Sequence, residues 1–212
     1  KAMGDIKIVI TANGEGSRMK AISPIPKHLL YYGGKRIIDC IVDAMEPFGH
    51  VKVFGFYPGS KNAENWMVCG STESRKAQLE LIRGWKNVLV VDCDVIPVFA
   101  AESFKDPTPK IRRDFESTIE LDEDTIWYFD SDNPKYGGLE MAKNGTLAAA
   151  KERGHGHKYR ASGLYFLKDV GSTVDRMKDQ NSIAAAMVGA RMIFENTFIR
   201  VGDPEDYLNA LK

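Results

Sequence analysis

The 212-residue chain is 43% hydrophobic and 27% charged, the make-up of a folded protein with a sizeable core below the size at which one core must split. Its 29 basic residues balance 29 acidic ones, so it lacks the positive excess of a non-specific nucleic-acid binder. No apolar run approaches the roughly 20 residues of a membrane span. The start lacks the basic-then-apolar order of a signal peptide, and three cysteines without a C-x-x-C pair argue against a disulfide framework or a structural zinc. The expectation is a single cytoplasmic domain over residues 1–212, with neither a nucleic-acid nor a membrane partner.

Residues 6–11 are rich in β-branched side chains and run into a glycine-bearing turn, which predicts a buried central strand feeding a loop. Ile37, Ile38, Ile41, Val42 and Met45 recur at helical spacing until Pro47 and Gly49 stop the pattern. A strand over 51–56 follows. Next come a helix capped by Ser71 or Thr72 that carries Leu79, Leu81 and Ile82 toward Gly84, and a strand over 87–91. Strands alternating with helices predict an α/β fold, a mostly parallel sheet flanked by helices.

The second half is less regular. Residues 125–129, 138–142, 146–150 and 161–167 read as strands with Asn144-Gly145 as a hairpin turn, so a small antiparallel layer is expected to join the parallel sheet. Residues 100–124, with Pro107, Pro109 and many charges, read as a mobile connection or short helices. A helix over 182–189, a strand near 198–201 and a helix over 204–211 complete the chain. In the last, Pro204, Glu205 and Asp206 suit a helix N-terminus.

Directly after the first strand, Ala12 leads into Asn13-Gly14-Glu15-Gly16-Ser17-Arg18-Met19, followed by Pro26-Lys27-His28-Leu29-Leu30 and Gly33-Gly34-Lys35. Glycines let backbone N–H groups approach phosphate oxygens closely, and Arg18 and Lys27 supply the charge a polyphosphate requires. The loop alone reads equally well as a tight turn between two solvated cations. It is neither a dinucleotide fingerprint, since Met19 stands at the third glycine, nor a Walker A loop, since Leu29 stands at its first. The hydrophobic strand over 88–91 ends in Asp92-Cys93-Asp94, and an aspartate at a strand's carboxyl end suits a hard cation. His155-Gly156-His157 has no nearby cysteine or carboxylate partner and reads as a loop rather than a metal site. Trp66, Trp85 and Trp127 read as packing residues.

The order strand, G-x-G-[ST]-R-[LM], spacer, P-K-x-L-L, then G-x-x-I-I-D resembles the opening of the sugar-phosphate nucleotidyltransferases, on Gly14, Gly16, Ser17, Arg18, Met19 and Lys27. The resemblance implies a Rossmann-like nucleotide-diphospho-sugar transferase fold. It also implies a reaction in which a nucleoside triphosphate and a phosphorylated small-molecule acceptor, with Mg2+, give a nucleoside diphosphate conjugate and pyrophosphate. It assigns residues 12–17 (Ala12, Asn13, Gly14, Glu15, Gly16, Ser17), with Arg18 and Lys27, to the triphosphate, Arg18 and Lys27 to charge stabilisation, and Ser71 and Thr72 to the vicinity of the base. Asp94 falls on the metal-binding aspartate, with Cys93 in place of the usual glycine. Gly138 falls where the acceptor needs close backbone approach. Lys151, after Ala150 in place of the family's glutamate, falls on the lysine that orients the acceptor phosphate.

Residues 198–207 resemble the family's closing D-x-G-T-P-E-D-Y, with Arg200 where the second metal-binding aspartate is usual and Asp203 where threonine is. Arginine cannot ligate a cation, so Asp203 stands as the substitute candidate, or one magnesium rests mainly on Asp94 and phosphates. The last block lies near the end of the sequence, which implies a catalytic domain without the acyltransferase or regulatory domains of some relatives. Asp92-x-Asp94 also matches the D-x-D of a glycosyltransferase, and Arg200 would suit a non-catalytic nucleotide-binding module. The base, the acceptor and assembly into a homo-oligomer stay open.

Overall fold

The computed structural model describes residues 6–12, 17–55, 66–68, 73–97 and 109–212. Its strands are β1 (Lys7–Ala12), β2 (Tyr31–Tyr32), β3 (Lys35–Arg36), β4 (His50–Gly55), β5 (Trp66–Val68), β6 (Lys86–Asp92), β7 (Val95–Pro97), β8 (Thr125–Asp130), β9 (Gly137–Met141), β10 (Leu147–Arg153), β11 (Tyr159–Asp169), β12 (Arg191–Phe194) and β13 (Phe198–Arg200). Its helices are α1 (Ile37–Met45), α2 (Arg75–Glu80), α3 (Pro109–Ser117), α4 (Val170–Arg176) and α5 (Pro204–Ala210). The fold is mixed α/β, a central mostly parallel sheet flanked by helices with small antiparallel sheets, as expected. The chain divides into two compact units, residues 1–73, 91–116 and 197–212, and residues 74–90 and 117–196.

In the first unit β1 runs parallel to β4, Lys7 opposite His50 and Ala12 opposite Gly55, and β4 runs parallel to β5. Ile8, Val9 and Ile10 are all buried, which a parallel strand covered on both faces requires. Helix α1 buries Ile37, Ile38, Ile41, Val42 and Met45. Each such side chain contributes roughly 1.5–3 kcal/mol relative to exposure. Phe48, Phe115 of α3 and Phe198 of β13 meet edge to face, with successive ring centroids 5.6 Å apart. The short antiparallel pair β7–β13 sets Arg200 opposite Val95.

In the second unit β10, β9, β11 and β8 pair antiparallel in that order, and β12 lies parallel to β8. Asn144 closes the β9–β10 turn through its Oδ1, which accepts from the Thr146 N–H at 3.3 Å. Trp127 is buried, and its indole N–H donates to Thr118 Oγ1 at 3.3 Å. Helix α2 begins at Ser74, whose hydroxyl accepts from the Ala77 N–H at 3.1 Å, so the cap lies beyond the expected Ser71 and Thr72, which fall outside the described residues.

The helix expected over 182–189 is only a 3-10 turn at Ala184–Ala186. The backbone is needed elsewhere: Gly189 N–H donates to Leu147 O and Leu147 N–H to Ala190 O, both at 2.8 Å, which turns the chain into β12. The connection over 100–124 contains α3, and residues 98–108 lie outside the described set.

Candidate active site

In the first unit the chemistry gathers at the carboxyl ends of β1 and β6. Thr11 Oγ1 donates to Asp92 Oδ1 at 3.0 Å, and the Cys93 N–H donates to Thr11 O at 3.3 Å, so the two strand ends are tied side to side. The chain then turns into β7, and Asp94 meets Lys27, with Nζ 3.2 Å from Oδ2. Asp92 thus accepts from Thr11 and Asp94 meets Lys27, while both carboxylates favour the Lys27 charge.

Lys27 is placed by local structure. Pro26, with φ fixed near −51°, opens the 3-10 turn Lys27–Leu29, closed by Leu29 N–H to Pro26 O at 2.9 Å and Leu30 N–H to Lys27 O at 3.1 Å. The Lys27 side chain is 13% exposed and that of Asp94 27%. Burial pulls the Lys27 ammonium down, but Asp94, the Cys93 thiol and Asp92 together outweigh it and leave its pKa raised. Lys27 is therefore a permanent, nearly buried positive charge. Its neighbour His28 has the opposite fate. Burial, aided by the Lys27 charge, pushes the imidazole down to about 4, so His28 is neutral at ordinary pH.

Arg18 lies exposed on the 3-10 turn Ser17–Ala21, which is anchored by the fully buried Met19. A methionine in place of a third glycine thus has a packing reason. Ala12 is the buried last residue of β1. Asn13, Gly14, Glu15 and Gly16, like Ser71 and Thr72, lie outside the described residues.

The closing block returns to Asp94. Val201 N–H donates to Asp94 O at 2.8 Å, and a Cβ on Gly202 would stand 2.8 Å from Asp94 Oδ2. Only glycine leaves the carboxylate room there. Asp203, 7% exposed, caps α5 through Oδ1, which accepts from the Asp206 N–H at 3.0 Å. Helix α5 is fastened further by the Tyr207 hydroxyl, which donates to Tyr31 O at 2.7 Å. Arg200 Nη1 donates to Phe198 O at 3.3 Å. Among the described residues no three His, Cys, Asp or Glu side chains gather into a metal cluster, and no helix is long and apolar enough to cross a membrane.

In the second unit the register brings Lys151 of β10 opposite Gly138 of β9, with Arg160 of β11 opposite Gly138 on the other side. Lys151 Nζ lies 3.4 Å from Glu140 Oε1, both side chains well exposed. A Cβ on Gly138 would lie 2.5 Å from the His157 ring, so the imidazole fills the space in which the acceptor was expected to approach the Gly138 backbone. Arg160 is fully buried and donates to three carbonyls, Nε to Ser131 at 3.0 Å, Nη1 to Tyr136 at 3.0 Å and Nη2 to Gly154 at 2.9 Å. It pins the start of β9 and the end of β10 together. Sequence reasoning placed His157 in a loop, where it lies, without its contact to Gly138, and did not single out Arg160. The signal available was a glycine inside a strand, which marks a close approach without saying of what.

No protein-family model matches the chain, and no curated protein does. Solved structures do, over 97% of this chain. A protein described as a glucose-1-phosphate thymidylyltransferase from Bacillus anthracis, in complex with sucrose, is 17% identical with a TM-score of 0.69 and 93% of its own chain covered. HddC from Yersinia pseudotuberculosis is 19% identical with a TM-score of 0.68, and the CTP:phosphocholine cytidylyltransferase LicC from Streptococcus pneumoniae 12% identical with a TM-score of 0.67, each with 97% of its chain covered. HddC has also been solved with GMP-PN. The chain shares its fold with these nucleotidyltransferases.

Proposed function

We propose that residues 1–212 act as one nucleotidyltransferase catalytic domain, joining a nucleoside triphosphate to a phosphorylated sugar or similar small alcohol with release of pyrophosphate. The observation that carries this reading is the Lys27–Asp94 pair just past the carboxyl end of β6, a strand end that Thr11 ties to the end of β1. The named neighbours act on different nucleotides and acceptors, so their shared fold supports the reaction class and leaves base and acceptor open.

The acceptor phosphate attacks the α-phosphorus in line, a P–O bond forms, the bond to the β-phosphate breaks, and pyrophosphate departs. A phosphate dianion is already a nucleophile, so no side chain must take a proton. What the protein supplies is position and charge. Lys27, held cationic by its carboxylates, faces the negative charge that builds on the transferring and leaving phosphates. Arg18 adds a second cation on the turn after the loop, and the N–H groups of the loop that follows Ala12 would take phosphate oxygens. Ser71 and Thr72 would lie near the base. Lys151 would orient the acceptor phosphate.

Magnesium fits the donor set. Its habit of one or two protein carboxylates completed by substrate phosphates needs no preformed cluster, and glycine at 202 puts no side chain against the Asp94 carboxylate, whose Oδ2 meets Lys27. Asp94 would hold it, with Asp203, whose Oδ1 caps α5, as the second carboxylate. Bound there, the ion would supply further neutralisation of phosphate charge. Cytoplasmic location, with neither a nucleic-acid nor a membrane partner, belongs to the same proposal.

The test is pyrophosphate release with magnesium across the four nucleoside triphosphates and a panel of sugar phosphates, alditol phosphates and phosphocholine. Release confined to one pair and lost in Lys27→Ala establishes the transferase and names both substrates. Triphosphate binding without release from any pair sinks the catalytic reading.

A further inference from the structure

The second unit holds a histidine that the catalytic reading leaves without a task. The imidazole of His157 lies against Gly138, on the side of β9 from which a side chain at 138 would project. Gly138 stands directly opposite Lys151 and two residues from Glu140, and directly opposed or alternate residues share one face of a sheet. The Lys151–Glu140 ion pair at 3.4 Å confirms that shared face. His157 and Lys151 therefore flank one spot on that face.

Two features make this spot more than filled space. Glycine in a strand interior is less favourable than alanine, and at 138 it makes room for a ring rather than for backbone. The ring's surroundings are also fixed: Arg160 ties Gly154, three residues before His157, to Tyr136, two residues before Gly138. The buried guanidinium holds the two sides of the His157–Gly138 contact in place, and Arg160, directly opposite Gly138, adds a positive charge on the same face. Residues 151–160 bring Lys151, Arg153, Lys158 and Arg160 against the single acid Glu152. The exposed Lys151–Glu140 pair is of the kind worth little in water, so an arriving anion can take over the lysine.

We propose that His157 is a recognition residue for the acceptor, its imidazole N–H donating to the phosphate monoester that Lys151 holds from the adjacent strand. This rests on the transferase reading and changes one part of it: the contact ascribed to the Gly138 backbone passes to the ring that Gly138 seats. Imidazole offers an N–H donor whether neutral or charged, and hydrogen bonds to a charged acceptor are the strong ones.

The experiment is imidazole NMR on the full chain, titrated with inorganic phosphate, glucose 1-phosphate and phosphocholine. The chain has four histidines, and His157 is identified by the resonance missing from His157→Gln. The expected result is a saturable shift of that resonance with at least one phosphate monoester, weakened in Lys151→Met. In turnover, His157→Ala should raise the acceptor KM about tenfold and leave the triphosphate KM unchanged, the loss expected of one hydrogen bond to a charged group. Gly138→Ala should do the same by displacing the ring.

Failure of the inference and failure of the transferase reading look different. A shift of the His157 resonance in a protein that releases no pyrophosphate upholds the site and sinks the enzyme. Pyrophosphate release with an acceptor KM that His157→Ala does not change upholds the enzyme and overturns the inference, as does a resonance that no phosphate monoester moves.

Discussion

Two lysine–carboxylate pairs with nearly the same contact distance, Lys27–Asp94 at 3.2 Å and Lys151–Glu140 at 3.4 Å, sit in surroundings that give them different work. The first lies 13% and 27% exposed on a proline-started turn and just past a strand terminus; the second lies 44% and 53% exposed on neighbouring strands. Out of water, a charge that stays in place acts strongly on whatever charge develops beside it. In water the same pair is screened, contributes on the order of 0–1 kcal/mol, and is easily exchanged for another anion. In the proposed reaction the difference suits the first pair to stabilising charge and the second to catching and releasing a substrate.

The largest effect expected from this contrast is on Lys27. Lys27→Ala should lower the rate of pyrophosphate release about a hundredfold or more, in the range found when one preorganised charge or donor is removed from a transition state. Steady-state assays at saturating substrates check it. Lys151→Ala should instead act through the acceptor, raising its KM about tenfold with a smaller change in kcat, since it removes one hydrogen-bonded charge at the substrate. Equal effects of the two substitutions on kcat would erase the contrast.

Stability sharpens it further. His28 belongs to the buried side, and its imidazole, pushed from 6.5 to about 4, favours the folded state only while neutral. Because the folded value is the lower one, the unfolded chain binds the proton first. This contribution is complete above pH 6.5 and lost as pH falls toward 4, on the order of 3 kcal/mol in all. Urea unfolding of wild type and His28→Gln across that window should show a shallower acid loss in the variant. A smaller effect is due at Asp203, where Asp203→Ala should cost about 1 kcal/mol by removing the α5 cap. A larger fall in magnesium-dependent triphosphate affinity in that variant would assign the carboxylate to the metal as well. On the exposed side, Lys151→Ala should change the unfolding free energy from urea titration by under about 0.5 kcal/mol, consistent with the small worth of a solvated pair.

Much of this was legible in the sequence where local chemistry decides. The β-branched run of β1, the period of α1, the Asn144-Gly145 turn and the proline-and-acid start of α5 are each fixed by residues next to one another, and the order of the motifs singled out Lys27 and Asp94 separately without showing that they meet. What stayed hidden depends on partners far along the chain. The alanine-rich stretch at 184–186 reads as helix until Leu147, some forty positions earlier, takes the backbone of Gly189 and Ala190. Nothing local marks Arg160 until three carbonyls, two from the β8–β9 connection and one just after β10, close on it. His157 lies in a loop, as it reads, but its contact with Gly138, nineteen positions before it and on the far side of β10 in chain order, is not written in the local sequence.

The most direct test of the division of labour is equilibrium binding of a non-hydrolysable nucleoside triphosphate analogue with magnesium to wild type, Lys27→Ala and Lys151→Ala. The account predicts that Lys27→Ala loses at least about tenfold in affinity while Lys151→Ala binds like wild type. Undiminished binding by Lys27→Ala, or an equal loss in both variants, would contradict it.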